Sequence, residues 1–383
     1  MARAMGRGSA GPGTELADYS EYDPLLGWRK RPGARLTFRR AEYSVPFAIN
    51  GLGLRDPDRG YEAAPGSARI LALGDSYVEG YSVETQQTVT QVLERSLRQK
   101  GCAVDVINGG TTGYSTDQEL LFFQTEGVKY APAIVLLFFY YNDVLYNDRQ
   151  FYSGGVSKPV FVFRQGRFEL YKIPVPQPSA SPRAEAREER ARPAPSALLE
   201  WVGERLWFGA PRAYNAIGRL GLWPPNRPLG ARLELRVYQK TSIPEIEGAW
   251  QKTALILDTL AQEVASHGAR LLVVYIPSRM ETSESAWSLS QTRYGMTETG
   301  WDRELVARRL SALARASQVP VLDLTPAMRA ADHWLLGGPY WVQDGHWNAK
   351  GHSVAAAEVE RWMGESGWLA PCPLRSLPAA RAK

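Results

Sequence analysis

Four short segments of this chain carry side chains suited to nucleophilic chemistry. They are GDSYVEG at Gly74–Gly80, NGGTTGYST at Asn108–Thr116, YYND at Tyr140–Asp143 and DGHWNAKGH at Asp344–His352. A serine hydroxyl such as that of Ser76 is a poor nucleophile at its free pKa and needs an adjacent base to take its proton during attack. Histidine suits that task, and the sequence has four: His267, His333, His346 and His352. A carboxylate that accepts the other ring proton holds the useful tautomer, and Asp344 stands two residues before His346.

Side chains so far apart in the chain can act together only if the fold delivers them to one place. Five apolar runs, residues 69–73, 104–107, 133–140, 270–276 and 319–324, are each followed by a turn signal. Their continuous rather than alternating apolar character suits strands buried on both faces, as in a parallel sheet covered by helices. Helical patterns separate most of them. Val89, Val92, Leu93 and Leu97 share a face closed by Gly101; Thr116 and Glu119 have capping-box spacing before Leu120 and Leu121, with Gly127 as a stop; Leu257, Leu260, Ala261 and Val264 end at Gly268. Residues 302–317 and 351–363 complete the alternation. The expected fold is therefore α/β, a three-layer α/β/α, flavodoxin-like doubly wound parallel sheet of about five strands.

In such sheets the loops at the carboxyl ends of the strands build the site. The four segments follow the first, second, third and fifth runs. His267 lies between a helix and the start of the fourth strand, at the opposite end, and is expected to be structural. His333, His346 and His352 all follow the fifth strand. His346 is preferred as base because of Asp344, His352 begins a helix after Gly351 and suits packing or capping, and His333 is the second choice.

The domain organisation expected is an N-terminal extension over 1–66 packing on the core, an α/β domain over 67–143 and 244–366, an insertion over 144–243 and a flexible tail over 367–383. The extension is rich in aromatic, Gly and Pro residues between Tyr22 and Arg55, and no chemistry can be assigned to it. About a hundred residues are too many for a simple connection. The insertion contains a hairpin pattern around Gln165 and Gly166, a Pro, Ala and Arg-rich stretch through Pro195 and an amphipathic stretch from Leu198 to Leu206. Beginning beside the third strand's end, it is expected to act as a lid or substrate wall, or else to be decoration.

The net charge of +5 is spread thinly with no run of five or six like charges, so nucleic acid binding is not expected; the mixed Arg and Glu stretch from Arg183 to Arg192 has the composition of a solvated linker or exposed helix. Cys102 and Cys372 are the two cysteines, and their spacing suggests neither a disulfide framework nor a zinc site. Residues 1–14 lack the apolar stretch of a signal peptide or membrane helix, so the expectation is a cytoplasmic protein with no membrane segment.

The four segments together resemble the GDSL/SGNH hydrolases, whose name records block residues Ser, Gly, Asn and His. The match gives Ser76, Gly113, Asn142 and His346, in family order and on the corresponding strand ends, across residues 69–363. That family commonly places its orienting Asp three residues before the His, where this chain has Gln343; Asp344 is two before. The resemblance implies Ser76, His346 and Asp344 as catalytic residues, and the backbone N–H groups of Ser76 and Gly113 with the Asn142 amide as an oxyanion hole. Gly113 would permit close backbone approach because it has no Cβ. Asp75 and Asp143 are expected to bond loop backbone, and Tyr77, Tyr141 and Trp347 to line a substrate pocket.

The implied activity is ester hydrolysis through an acyl-enzyme, on a small-molecule or carbohydrate ester, with no metal or organic cofactor. The alternatives are O-acyl transfer to a carbohydrate or secondary metabolite, and a catalytically silent binding module. Nothing in the sequence indicates an oligomeric state.

Overall fold

A computed structural model describes residues 12–152, 155–164, 167–177, 202–203, 205–207, 209–220, 233–296, 298–332 and 337–369. The chain opens with helix α1 (Pro12–Tyr19) and two antiparallel hairpins, β1 (Ser20–Asp23) with β2 (Gly27–Lys30) and β3 (Arg35–Arg39) with β4 (Ser44–Ala48). The core follows as β5 (Ala68–Leu73), α2 (Ser76–Glu79), α3 (Val89–Gln99), β6 (Val104–Asn108), α4 (Thr116–Thr125), β7 (Ile134–Tyr140) and α5 (Asp143–Tyr146). Within the insertion, β8 (Val160–Arg164) pairs with β9 (Arg167–Tyr171), and α6 (Pro211–Arg219) comes next. The core resumes with α7 (Pro244–Ser266), β10 (Arg270–Ile276), α8 (Arg279–Thr282), α9 (Glu284–Tyr294), α10 (Leu305–Ala316), β11 (Val321–Asp323), α11 (Thr325–Ala331) and α12 (Ala349–Glu365).

The central sheet is parallel, in the order β6-β5-β7-β10-β11. Counting core strands alone this is 2-1-3-4-5, the flavodoxin-like doubly wound order expected from the sequence. Strand β7 shows why the apolar runs are continuous. Val135, Leu137 and Phe139 face a cluster built with α4, α7 and α10, while Ile134, Leu136 and Phe138 face a second cluster built with α3, α11 and α12. Period-two side chains thus meet helices on both faces, and truncating a ring such as Phe138 to Ala would cost about 3–5 kcal/mol. The N-terminal hairpins join the first cluster through Trp28, Phe38, Val45 and Phe47.

Three local expectations need correction. The fifth strand is three residues long, Val321–Asp323, because Pro320 has no N–H to continue the ladder. Thr116 and Glu119 do not form a capping box: Ser115 takes the N-cap position, its hydroxyl donates to Asp117 Oδ1 at 2.7 Å, and the buried Glu119 carboxyl has no hydrogen-bond partner among the described residues. Burial raises the Glu119 pKa well above the usual carboxyl range. Cys102, buried after α3, is disulfide-bonded, a state that a reducing cytoplasm disfavours. Among the described residues no helix is long and apolar enough to cross a membrane. The hairpin expected near Gln165 and Gly166 is formed by β8 and β9, with those two turn residues outside the described ones, as are 183–195 and Cys372.

Candidate active site

Ser76 is the first residue of α2, at the carboxyl end of β5. Asp75 caps that turn by accepting the Tyr77 N–H at 2.9 Å, the loop-bonding role expected of it. The His346 segment doubles back on itself: Trp341 N–H donates to the His346 carbonyl at 2.8 Å and Gly345 N–H to the Trp341 carbonyl at 3.0 Å. Gly345 has φ +87°, which a residue with a Cβ rarely adopts, so it is glycine that lets Asp344 and His346 turn toward each other two residues apart.

This turn brings three side chains from distant parts of the chain into one hydrogen-bonded row. Ser76 Oγ lies 2.8 Å from His346 Nε2, and His346 Nδ1 lies 2.7 Å from Asp344 Oδ1. Because an ionised carboxylate can only accept, the ring proton belongs on Nδ1, and Nε2 presents its lone pair to the serine. Burial works against the imidazolium, but the charge and hydrogen bond of Asp344 outweigh it and raise the His346 pKa above its ordinary value. Burial pushes Asp344 the other way, and the His346 charge, the ring N–H and the Tyr43 hydroxyl together hold it below the usual carboxylate range. Asp75, behind the serine, is raised by burial to about 6.

The second loop packs directly on the first. Thr111 N–H donates to the Gly74 carbonyl at 2.9 Å, and a Cβ on Gly110 would meet the Glu79 nitrogen at 2.4 Å, so a side chain there would force the loops apart. Gly113 has φ +80°, and a Cβ on it would come within 2.7 Å of the Tyr152 ring. What approaches Gly113 most closely is thus Tyr152, a residue of the insertion. Neither the Gly113 N–H nor the Ser76 N–H donates to another described residue. Asn142 precedes α5, and its side-chain oxygen is buried with no partner among the described residues. Asp143 accepts the Tyr140 N–H at 3.1 Å, again a loop-bonding role.

Tyr81 and Tyr43 carry no role in the sequence-based reading of this site, and Tyr77 is read there only as pocket lining. Tyr81 Oη is 3.0 Å from His346 Nδ1 and 3.2 Å from both Asp344 oxygens. Tyr43 donates to Asp344 Oδ2 at 2.8 Å. Tyr77, in van der Waals reach of the imidazole with ring centroids 4.7 Å apart, donates to the Gly345 carbonyl at 3.0 Å. The four-residue spacing of Tyr77 and Tyr81 downstream of GDS could have flagged both as facing one way. Nothing in the sequence flags Tyr43.

The remaining candidates separate. Trp347 is 0% exposed and packs between Tyr77, Phe138 and His352, so it belongs to the core and does not line an opening. Tyr77 is 2% exposed and acts on His346 more directly than on any pocket. Tyr141 is partly exposed and packs at a tilt against Tyr238, ring centroids 5.3 Å apart. His352 is buried, accepts the Val89 N–H at 3.1 Å at the start of α3, and is lowered by burial to about 3, the packing role expected. His267 ends α7 on the surface, at the amino end of β10. His333 lies outside the described residues.

Two family models match the chain. One, described as GDSL-like lipase/acylhydrolase, covers residues 70–166 and so the first three blocks. The other, described as SGNH hydrolase-like domain, acetyltransferase AlgX, covers residues 238–373 and so the His346 block. No curated protein matches. Among solved structures, TesA is 13% identical over 78% of this chain and 98% of its own, with a TM-score of 0.39. The lipase/acylhydrolase from Enterococcus faecalis is 14% identical over 82% and 100%, also at 0.39. The acetyl xylan esterase AlAXEase is 11% identical over 77% and 98%, again at 0.39. Likeness this slight carries no activity across.

Proposed function

We propose that this chain, which the two family matches put among the GDSL/SGNH hydrolases, is a serine-dependent acyl-ester hydrolase. The observation that carries the reading is the unbroken row from Ser76 Oγ through His346 to Asp344, at 2.8 and 2.7 Å. His346 Nε2 takes the hydroxyl proton as Ser76 Oγ attacks the ester carbonyl, and Asp344 steadies the imidazolium that forms. The tetrahedral oxyanion is met by the N–H groups of Ser76 and Gly113, which donate to no other described backbone carbonyl, and by the side-chain amide of Asn142. Collapse expels the alcohol, protonated by His346, and leaves an acyl-Ser76 ester. Water, activated by the same imidazole, then releases the acid.

A second reading is O-acyl transfer, in which the acyl group passes from Ser76 to a hydroxyl of a carbohydrate or secondary metabolite. It is favoured by the acetyltransferase description of the model that spans the His346 block.

The test is turnover of p-nitrophenyl acetate, alone and with sugar acceptors, by wild type, Ser76→Ala and His346→Ala. Loss of roughly four orders of magnitude is expected in either variant; equal rates in all three sink the reading. A fluorophosphonate should label wild type and spare Ser76→Ala. The base must be neutral to act, and its pKa is raised, so kcat/KM should fall on acidification with a midpoint above that of an ordinary histidine. Rate gained on acidification below that point would assign the wrong base.

A further inference from the structure

The loop that carries Asp344 and His346 is not held by its own core neighbours alone. The turn between β3 and β4, closed by Arg40 N–H to the Tyr43 carbonyl at 2.8 Å, projects from the N-terminal extension onto it. Glu42 sets one carboxylate against three successive backbone N–H groups there: Oε1 accepts from Val342 at 2.7 Å, and Oε2 from Gln343 at 2.9 Å and Asp344 at 3.0 Å. The next residue, Tyr43, is buried, packs at a tilt against Trp341 with ring centroids 5.3 Å apart and donates to Asp344 Oδ2 at 2.8 Å.

We propose that Glu42 and Tyr43 are positioning residues for the Asp344–His346 pair, which rests on the triad reading above. Their division of labour follows from the atoms they touch. Glu42 fixes the backbone from which Asp344 projects, since three N–H groups converging on one charged acceptor leave that stretch of chain one conformation. Tyr43 fixes the rotation of the carboxylate. With Oδ2 bonded to the tyrosine, Oδ1 is left to meet His346 Nδ1 at 2.7 Å and the His346 N–H at 3.2 Å. Gly345 supplies a turn with little intrinsic preference, so the geometry of an Asp two residues before its His has to be imposed from outside, and the extension does so. The hairpin can act as a fixed support because Phe38, Val45 and Phe47 anchor it in the core.

The experiment uses the full chain with three substitutions, Tyr43→Phe, Glu42→Ala and Glu42→Gln, beside wild type and Ser76→Ala. Amide hydrogen exchange at Val342, Gln343 and Asp344, kcat and KM with p-nitrophenyl acetate, and thermal melting are read for each. Expected are exchange at those three amides faster in Glu42→Ala, kcat lower by roughly ten- to a hundredfold in Tyr43→Phe and Glu42→Ala with KM unchanged, and partial recovery in Glu42→Gln, which keeps one acceptor oxygen. Melting of Tyr43→Phe should match wild type. Unchanged exchange in Glu42→Ala, unchanged kcat in both variants, or kcat that falls only as melting falls overturns the proposal while leaving the triad reading intact. Wild type no more active than Ser76→Ala overturns both.

Discussion

Residues 12–61 and the insertion both add to the five-stranded core, and they touch the site in different ways. The extension reaches in with buried polar side chains aimed at backbone. Arg55 donates to the carbonyls of Glu79, Gly80 and Val83 behind the Ser76 turn; Lys30 donates to the Gly110 carbonyl and Thr111 Oγ1 under the second loop; Trp28 donates to the Thr112 carbonyl at 3.1 Å; Glu42 holds the His346 loop. Among the described residues the insertion is anchored on the core helices rather than on the site loops, by the buried ion pair of Lys158 with Asp117 of α4, by Asn147 accepting the Asp117 N–H at 3.1 Å and by Tyr238 donating to Glu281 at 2.8 Å; at the site it lays Tyr152 on Gly113, and it leaves Phe151, Phe163 and Ile173 exposed. Buried donors on carbonyls dictate where backbone goes, because an unmade bond there costs the full desolvation penalty. Aromatic contact covers a surface without dictating it. The extension therefore sets the shape of the site, and the insertion covers part of it.

That contrast can be broken at four levels. Truncation before Glu62 should abolish cooperative thermal unfolding, whereas replacing residues 159–171 with a short glycine linker should preserve it; two similar melts would erase the distinction. Arg55→Leu leaves the Glu79 and Val83 carbonyls without the Arg55 donor and should cost about 2 kcal/mol or more, seen as a lower urea midpoint. Gly113→Ala combines a left-handed φ with the Tyr152 ring 2.7 Å away and should cost about 1–3 kcal/mol. Adding Tyr152→Ala should recover the steric part of that loss and sharpen how closely the insertion constrains the second loop. Phe163→Ser, on a side chain 62% exposed, should stay within about 0.5 kcal/mol of wild type. A larger loss there would mean the hairpin is held as firmly as the extension.

The core strands were legible because a strand covered on both faces must be apolar at every position, and β7 with its IVLLFFY run shows this plainly. Ser76 and His346, which the structure brings to 2.8 Å, were legible as types because the doubly wound topology says which strand ends matter, whereas Asn142 entered through the family resemblance. The extension was opaque for a physical reason. Its hairpin strands are short, and the one over Arg35–Arg39 is polar at alternate positions, while the partners of Glu42 and Tyr43 lie 300 and 301 residues away, beyond any local pattern. Trp347 was misjudged as pocket lining because an aromatic beside a catalytic block looks the same in sequence whether it faces in or out. Thr116 and Glu119 failed as a cap because Ser115, one residue earlier, competed for the same role.

The order in which these parts are synthesised has a consequence for when the enzyme comes alive. Tyr43 leaves the ribosome before Ser76, and Asp344 follows far later, so the brace must wait about three hundred residues for the loop it grips. Contacts of such span are entropically expensive to close and form late. Activity should accordingly lag behind recovered helical signal on refolding, which makes turnover a reporter of complete, rather than merely compact, chains.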